Sequence, residues 1–302
     1  MEKNEFEDYV KSGKVLQEVQ KNAVKKAKVG VKLLELAETI EKEILDLEAG
    51  MAFPVNLSLN NIAAHYTPSF KDETLIEEKD VLKIDIGVEV EGFIADASVT
   101  MDFSGENGKL VEASEKALEN VLSMVKVGTP LGKIGEEIEK TILSYGFKPV
   151  ENLTGHGLMK YIAHSSPSIP NIAKNDSRAI EDGKAYAIEP FASNGEGRIK
   201  EGSQSEIFEF SKAIPLRNLD ARKIQEKSII EFNGLPFAER WLIKEFGETK
   251  TKIALRELIG KSSIRMHPIL KEDSNVLISQ AEHTIVCFEE KIHITTQPKA
   301  KD

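Results

Sequence analysis

Apolar residues recur at three- and four-residue spacing in two stretches of the chain. Leu33, Leu36, Ile40 and Ile44 form one stripe, and Leu131, Ile134, Ile138 and Ile142 form the other. That spacing predicts amphipathic helices within 30–48 and 130–145. Helical patterns also cover 4–27 and 108–126. Thr129-Pro130 reads as an N-cap followed by a first-turn proline for the later stripe. The two stripes belong to an internal repeat. KVGVKLLELAETIEKEIL (28–45) and KVGTPLGKIGEEIEKTIL (126–143) share ten of 18 positions at a constant offset of 98. Each is followed by an F-P or F-x-P element, Phe53-Pro54 and Phe147-Lys148-Pro149. Duplicated halves facing each other, with a site between them, are therefore expected. Strand patterns fall at 81–88, 93–102, 184–191 and 276–296, the last as two runs about Glu289–Lys291. Residues 216–260 break this alternation with three helix-like pieces in a row, which read as a helical subdomain inserted into an α+β platform.

Composition narrows the class. The chain has 302 residues, 40% hydrophobic and 30% charged, ordinary for a globular protein with one or two cores. Fifty acids against 40 bases give a net charge of −10, which argues against indiscriminate binding to a phosphate backbone. Cys287 is alone, so no intrachain disulfide forms, consistent with a reducing compartment. MEKNEFEDYV is charged and lacks an apolar signal core, and no apolar run nears the ~18 residues of a membrane span. A cytoplasmic location is expected.

The segment Lys83–Met101 holds the most chemistry. Two strand patterns flank a turn near Val90–Gly92; pairing with i + j = 181 would set Asp85 opposite Asp96. Ile84, Ile86 and Val88 would then line the other face. Two carboxylates on one sheet face repel unless one is protonated or a cation lies between them. His156 sits between glycines in Thr154-Gly155-His156-Gly157. Glu189 ends the apolar run Ala187-Ile188-Glu189-Pro190-Phe191, and Glu282 occupies a similar run from Ser279 to Val286. A buried glutamate needs a partner. A salt bridge to arginine would satisfy each separately; a shared cation would satisfy all of them together.

The ordered set D-I-G…D-A-S-V-T, T-G-H-G-L, I-E-P-F and E-H-T-I resembles the methionine aminopeptidases. The helical insertion between the last two motifs is similar to the type 2 branch in its archaeal form. The resemblance implies an α+β pita-bread fold with two pseudo-symmetric halves: a catalytic platform of 1–212 and 268–302, and an inserted, winged-helix-like helical subdomain of 213–267. It implies two divalent ions (cobalt, manganese, iron(II), zinc or nickel) held by Asp85, Asp96, His156, Glu189 and Glu282. Asp96 and Glu282 would bridge the ions, Asp85 would serve one, and His156 and Glu189 the other. The activity implied is removal of the initiator methionine from nascent chains with a small second residue. His65 and His164 would bind substrate, with His164 and Glu189 catalytic. Phe53 is a candidate wall for the methionine side chain, while His267, His283 and His293 read as structural or surface residues. Arg217, Arg222, Lys223, Arg240 and Lys244 read as a solvated helical face, with a ribosomal RNA patch as the alternative. A monomer with no DNA or membrane partner is expected. Prolidases and aminopeptidases P carry an extra N-terminal domain, for which a first metal aspartate at 85 leaves no room. Inactive relatives that bind RNA or ribosomes lose ligands, whereas this chain keeps all five.

Overall fold

Helices stand in two pairs, α1 (Lys3–Lys26) with α2 (Leu33–Asp46), and α3 (Gly108–Met124) with α4 (Leu131–Ser144). The computed structural model describes residues 1–297; the last five positions of the expected platform, 298–302, lie outside the described residues. The repeated segments are α2 and α4, and each apolar stripe is buried in its own core. Leu33, Leu36, Ile40 and Ile44 pack against Ile84, Ile86 and Val88, while Leu131, Ile134, Ile138 and Ile142 pack with Tyr186, Ile188 and Ile285. Each such side chain contributes about 1.5–3 kcal/mol by leaving water. Pro130, not Thr129, is the residue at the start of α4, and no side chain caps it. The Thr129 hydroxyl is used one turn earlier, accepting from the Lys126 amide at 3.0 Å.

In the first half, strands Val81–Val90 and Phe93–Asp102 form a long hairpin. Its register corrects the expected one: Asp85 pairs with Ser98, and Asp96 with Gly87. The loop is Glu91-Gly92, both at positive φ (53° and 85°). A tight hairpin loop asks for positive φ at both central positions, which glycine gives freely and β-branched Val90 resists. The shift is by two residues, so both aspartates stay on one face, diagonal rather than opposite.

The second half is a five-stranded antiparallel sheet. Its order is Lys291–Ile294, His283–Phe288, Ala185–Ile188, Thr154–Met159, Ile162–Pro170. The 184–191 pattern is two strands rather than one, and the 276–296 pattern is three rather than two. Ala185–Ile188 pairs with His283–Phe288, and then Phe191–Ser193 pairs with Ile278–Gln280 in a different sheet. Both segments change sheets at the same level, at Glu189-Pro190 and Ala281-Glu282. Periodicity cannot reveal such a jump, because the apolar run continues through it.

The insertion holds α5 (Leu219–Ile230), α6 (Glu239–Phe246) and α7 (Glu248–Gly260). They pack on a small sheet of Phe237–Ala238, Ile207–Phe210 and Ile264–His267. Phe208, Ile224, Phe237, Leu242 and Leu258 form a separate core there. The sheet begins at Ile207, six residues before the expected boundary at 213. Among the described residues, no helix is long and apolar enough to cross a membrane.

Candidate metal centre

The two halves meet where the Phe93–Asp102 strand lies beside the chain from Ile278 to Phe288. Hydroxyl side chains join this seam. The Thr284 hydroxyl accepts from the Asp96 amide and donates to the Asp96 carbonyl, both at 2.8 Å. The Glu282 amide donates to the Ser98 carbonyl at 3.1 Å. Thr100 bonds both backbone groups of Gln280, at 2.6 and 2.8 Å. These contacts carry Asp96 and Glu282 to one place. His156 arrives from the second-half sheet, where it pairs with Ala187.

Asp96, His156 and Glu282 each offer a ligand atom within 4.8 Å of the others, and all three are buried. Glu189 Oε1 is 3.6 Å from His156 Nε2, and Asp96 Oδ2 is 3.8 Å from it. The Gln280 amide donates to Glu189 Oε2 at 3.3 Å and to Glu282 Oε2 at 3.2 Å. Asp85 opens onto the same cavity, across the sheet from Asn56. Burial pushes the Asp85 carboxyl up to about 7. Burial also raises Asp96, with the charges of Asp85 and Glu189 adding to it. Glu189 and Glu282 are raised by burial and then by neighbouring carboxylates. Burial lowers His156 to about 4, so its ring is neutral near pH 7. The His156 tautomer that donates Nδ1–H to the Gly157 carbonyl (3.2 Å) leaves the Nε2 lone pair facing two carboxylates. Asp85 Oδ1 and Asp96 Oδ1 are buried without a protein partner.

Four carboxylates and an imidazole lone pair face one another here, with no arginine or lysine among them. A positive ion answers every part of that arrangement, and the donor set suits a divalent metal that favours oxygen and imidazole. The His156 Nδ1 bond is the kind of outer contact that orients a metal-binding imidazole. Cys287 lies in the core of the second half, away from the cavity.

The cavity beside these groups has a volume of about 230 Å³. Phe53, Phe191, Ile207, Pro236 and Leu270 give it apolar walls, and His65, His164 and His267 line its polar side. The His164 ring is 4.3 Å from that of His156, centroid to centroid. His65 stands at φ 63° and donates from Nδ1 to the Pro268 carbonyl at 3.2 Å. Sequence reasoning set His267 aside as structural or surface; it faces the cavity, its ring 5.6 Å from that of His65. Its Nε2 bonds Glu209 at 2.7 Å, and Glu209 also takes Arg265. His267 reaches the cavity because its strand pairs with Ile207, a contact with no local signal. Gln280 was likewise missed, although it lies two residues before Glu282, where strand alternation predicts a shared face. His283 bonds Thr296 and His293 packs on Phe6, and neither lines the cavity.

The model of metallopeptidase family M24 matches residues 7–214. A methionine aminopeptidase of Pyrococcus abyssi is 44% identical over 289 residues, covering 95% of this chain and 98% of the relative. One from Methanocaldococcus jannaschii is 42% identical over 297 residues, covering 98% and 100%. Among solved structures, a thermophilic Arx1 superposes with a TM-score of 0.86 at 18% identity, covering 100% of this chain and 93% of that one. The methionine aminopeptidase of Thermotoga maritima gives 0.71 at 20%, covering 99% and 98%. At those identities the superpositions speak for the pita-bread fold alone. The family match and the near full-length relatives together place this chain in metallopeptidase family M24, among its methionine aminopeptidases.

Proposed function

We propose that the chain removes N-terminal methionine from newly made polypeptides whose second residue is small. The observation that carries this reading is the cluster of four carboxylates and one histidine beside an apolar slot, with Asp96, His156 and Glu282 buried and Asp85 and Glu189 partly so. Asp85, Asp96, His156, Glu189 and Glu282 would hold two divalent ions. Bound there, the ions would supply Lewis acidity and a water acidified toward neutral pH.

The chain's own groups do the rest. Glu189 Oε2 is held by Gln280, which leaves Oε1 to carry the proton between water and the leaving amine. His65 keeps its Nδ1–H on Pro268, so its Nε2 is free to accept from the substrate backbone. His164 supplies a donor for the oxygen of the scissile carbonyl. Phe53, Phe191 and Ile207 surround the methionine side chain, and Pro236 and His267 close the mouth from the insertion side. A platform of 1–212 and 268–302 with an inserted 213–267 is the proposed division, the sheet from Ile207 joining the two. A monomer in the cytoplasm, working on chains as they leave the ribosome, completes the reading.

Release of methionine from a Met-Gly-peptide, assayed with added cobalt or manganese, tests it. Release expected with either metal supports the reading. No methionine release, with cleavage of X-Pro substrates instead, would replace it with a prolidase-type activity.

A further inference from the structure

Arg240, read from sequence as part of a solvated basic face, is 1% exposed. It reaches from α6 of the insertion into the first half and ion-pairs there with Glu41 of α2, which is 6% exposed. Its other terminal nitrogen donates to the Thr67 hydroxyl at 2.6 Å and the Pro68 carbonyl at 3.1 Å. Thr67, 1% exposed, donates in turn to the Val55 carbonyl at 2.8 Å. Glu41 accepts from the Val55 amide at 3.3 Å and from the Trp241 indole at 2.9 Å. The ion pair thus grips two straps at once. Phe53 and Asn56 lie on one, Ala64 and His65 on the other, and all four line the cavity. His65 is also tied to the chain just past the insertion, through Pro268.

A buried ion pair is a weak source of stability, since packed apolar residues serve as well or better. Conformational precision is its better use. His65 stands at a positive φ that a non-glycine residue holds only when its surroundings insist.

We propose that the Arg240–Glu41 pair is a positioning device, by which the insertion sets the placement of His65 through Thr67 and Pro68. The insertion is then part of the catalytic site rather than an appendage. This rests on the reading of His65 as a substrate contact.

The test is a double-mutant cycle on methionine release from a Met-Gly-peptide. Thr67→Val removes one link, Arg240→Lys keeps the charge but loses the fork, and His65→Ala removes the proposed target. Lys244→Ala is the control: it breaks the exposed Lys244–Glu38 pair between the same two helices and should leave the kinetics unchanged. Thr67→Val is expected to lower kcat/KM about tenfold in the parent and not at all in the His65→Ala background. Arg240→Lys should act in the same direction and show the same dependence on His65. Effects that multiply independently of His65, or parent kinetics in both variants, would overturn the proposal. If either variant fails to fold, the other carries the cycle. If the parent releases no methionine, the functional reading itself has failed, and the imidazole NMR signal of His65, unmoved by Thr67→Val, would overturn the positioning role separately.

Discussion

Gly87, the glycine of D-I-G, faces the ring of Phe53. A Cβ built there would lie 2.3 Å from Cε1, 2.6 Å from Cδ1 and 2.8 Å from Cζ of that ring. Carbon atoms rest about 3.5–4.0 Å apart, so Gly87→Ala must displace the ring edge by at least about 1.2 Å. The strand cannot yield easily, because Gly87 is paired with Asp96 and its carbonyl accepts from Ala52. The ring can, since one side of it borders the cavity. Overpacking of this size costs about 1–3 kcal/mol. A ring pushed into the slot competes with the substrate's methionine. Most of that cost should then appear as weaker binding, a KM raised roughly 5- to 150-fold with kcat little changed. Steady-state kinetics on a Met-Gly-peptide, with thermal melting alongside, measures both parts. Phe53→Leu in the Gly87→Ala background should recover much of the loss by freeing ring volume. Parent KM and parent melting in Gly87→Ala would refute the steric argument, and so would a double variant no better than the single one.

Metal dependence follows from the proposed ligands: chelation should abolish methionine release and manganese or cobalt restore it, and Asp85→Asn should show lowered metal content by elemental analysis. Undiminished occupancy in that variant would remove Asp85 from the ligand set. Stability of the metal-free protein should depend on pH in a worked direction. Asp85 is raised to about 7 from 3.8, so its contribution is present below about pH 4 and is lost as pH rises through 7, with Asp96, Glu189 and Glu282 in the same sense. His156 is lowered to about 4, so its contribution is lost in the opposite direction, as pH falls from about 6.5 through 4. Above pH 6.5 His156 no longer contributes, but the Glu206 carboxyl, raised to about 7, acts in the same sense as the site acids, and buried Lys83, lowered to about 7, acts in the opposite sense as pH rises further. The share of the site is therefore read by comparison with Asp85→Asn, whose metal-free melting temperature should fall less steeply than the parent's as pH rises toward 7. Equal slopes in the parent and Asp85→Asn would contradict the raised Asp85 carboxyl. Two helical glycines should respond with opposite signs. A Cβ at Gly13 would sit 2.3 Å from the Thr295 carbonyl oxygen, so Gly13→Ala should destabilise by about 1–3 kcal/mol; Gly260 meets nothing within 4 Å, so Gly260→Ala should stabilise by about 0.4–1 kcal/mol. Urea unfolding reads both.

The acids of the candidate site were legible because strand alternation separates them from Ile84, Ile86 and Val88, and because a carboxylate in an apolar run demands an explanation. The hairpin register was not legible to the last step, since Glu91 gives no hint that it will take a positive φ; only Gly92 did. The repeat pointed to two halves, and each of its helices lies in a separate core. Side chains that act across long separations were out of reach. Arg240 looked like surface charge because helical periodicity describes one helix and not the platform against which it packs. His267 and Gln280 reach the site through strand pairings and sheet changes that leave no periodic trace.

The seam carries a consequence for how the molecule comes apart. Asp85 and Asp96 belong to one half, His156 and Glu189 to the other, and Glu282 lies in the short link between two strands of the segment that joins the halves through Ser98 and Thr284. Each half keeps its own apolar core, and the seam between them is held by hydroxyls and backbone groups together with a smaller apolar cluster that crosses it, Phe53, Phe93 and Ile94 against Leu158, Ala187 and Val286. A fluctuation that parts the halves would open the crossing cluster and scatter the ligands before the separate core of either half is exposed. Ion release would then precede the loss of helical signal, reporting an early opening between halves that are still folded.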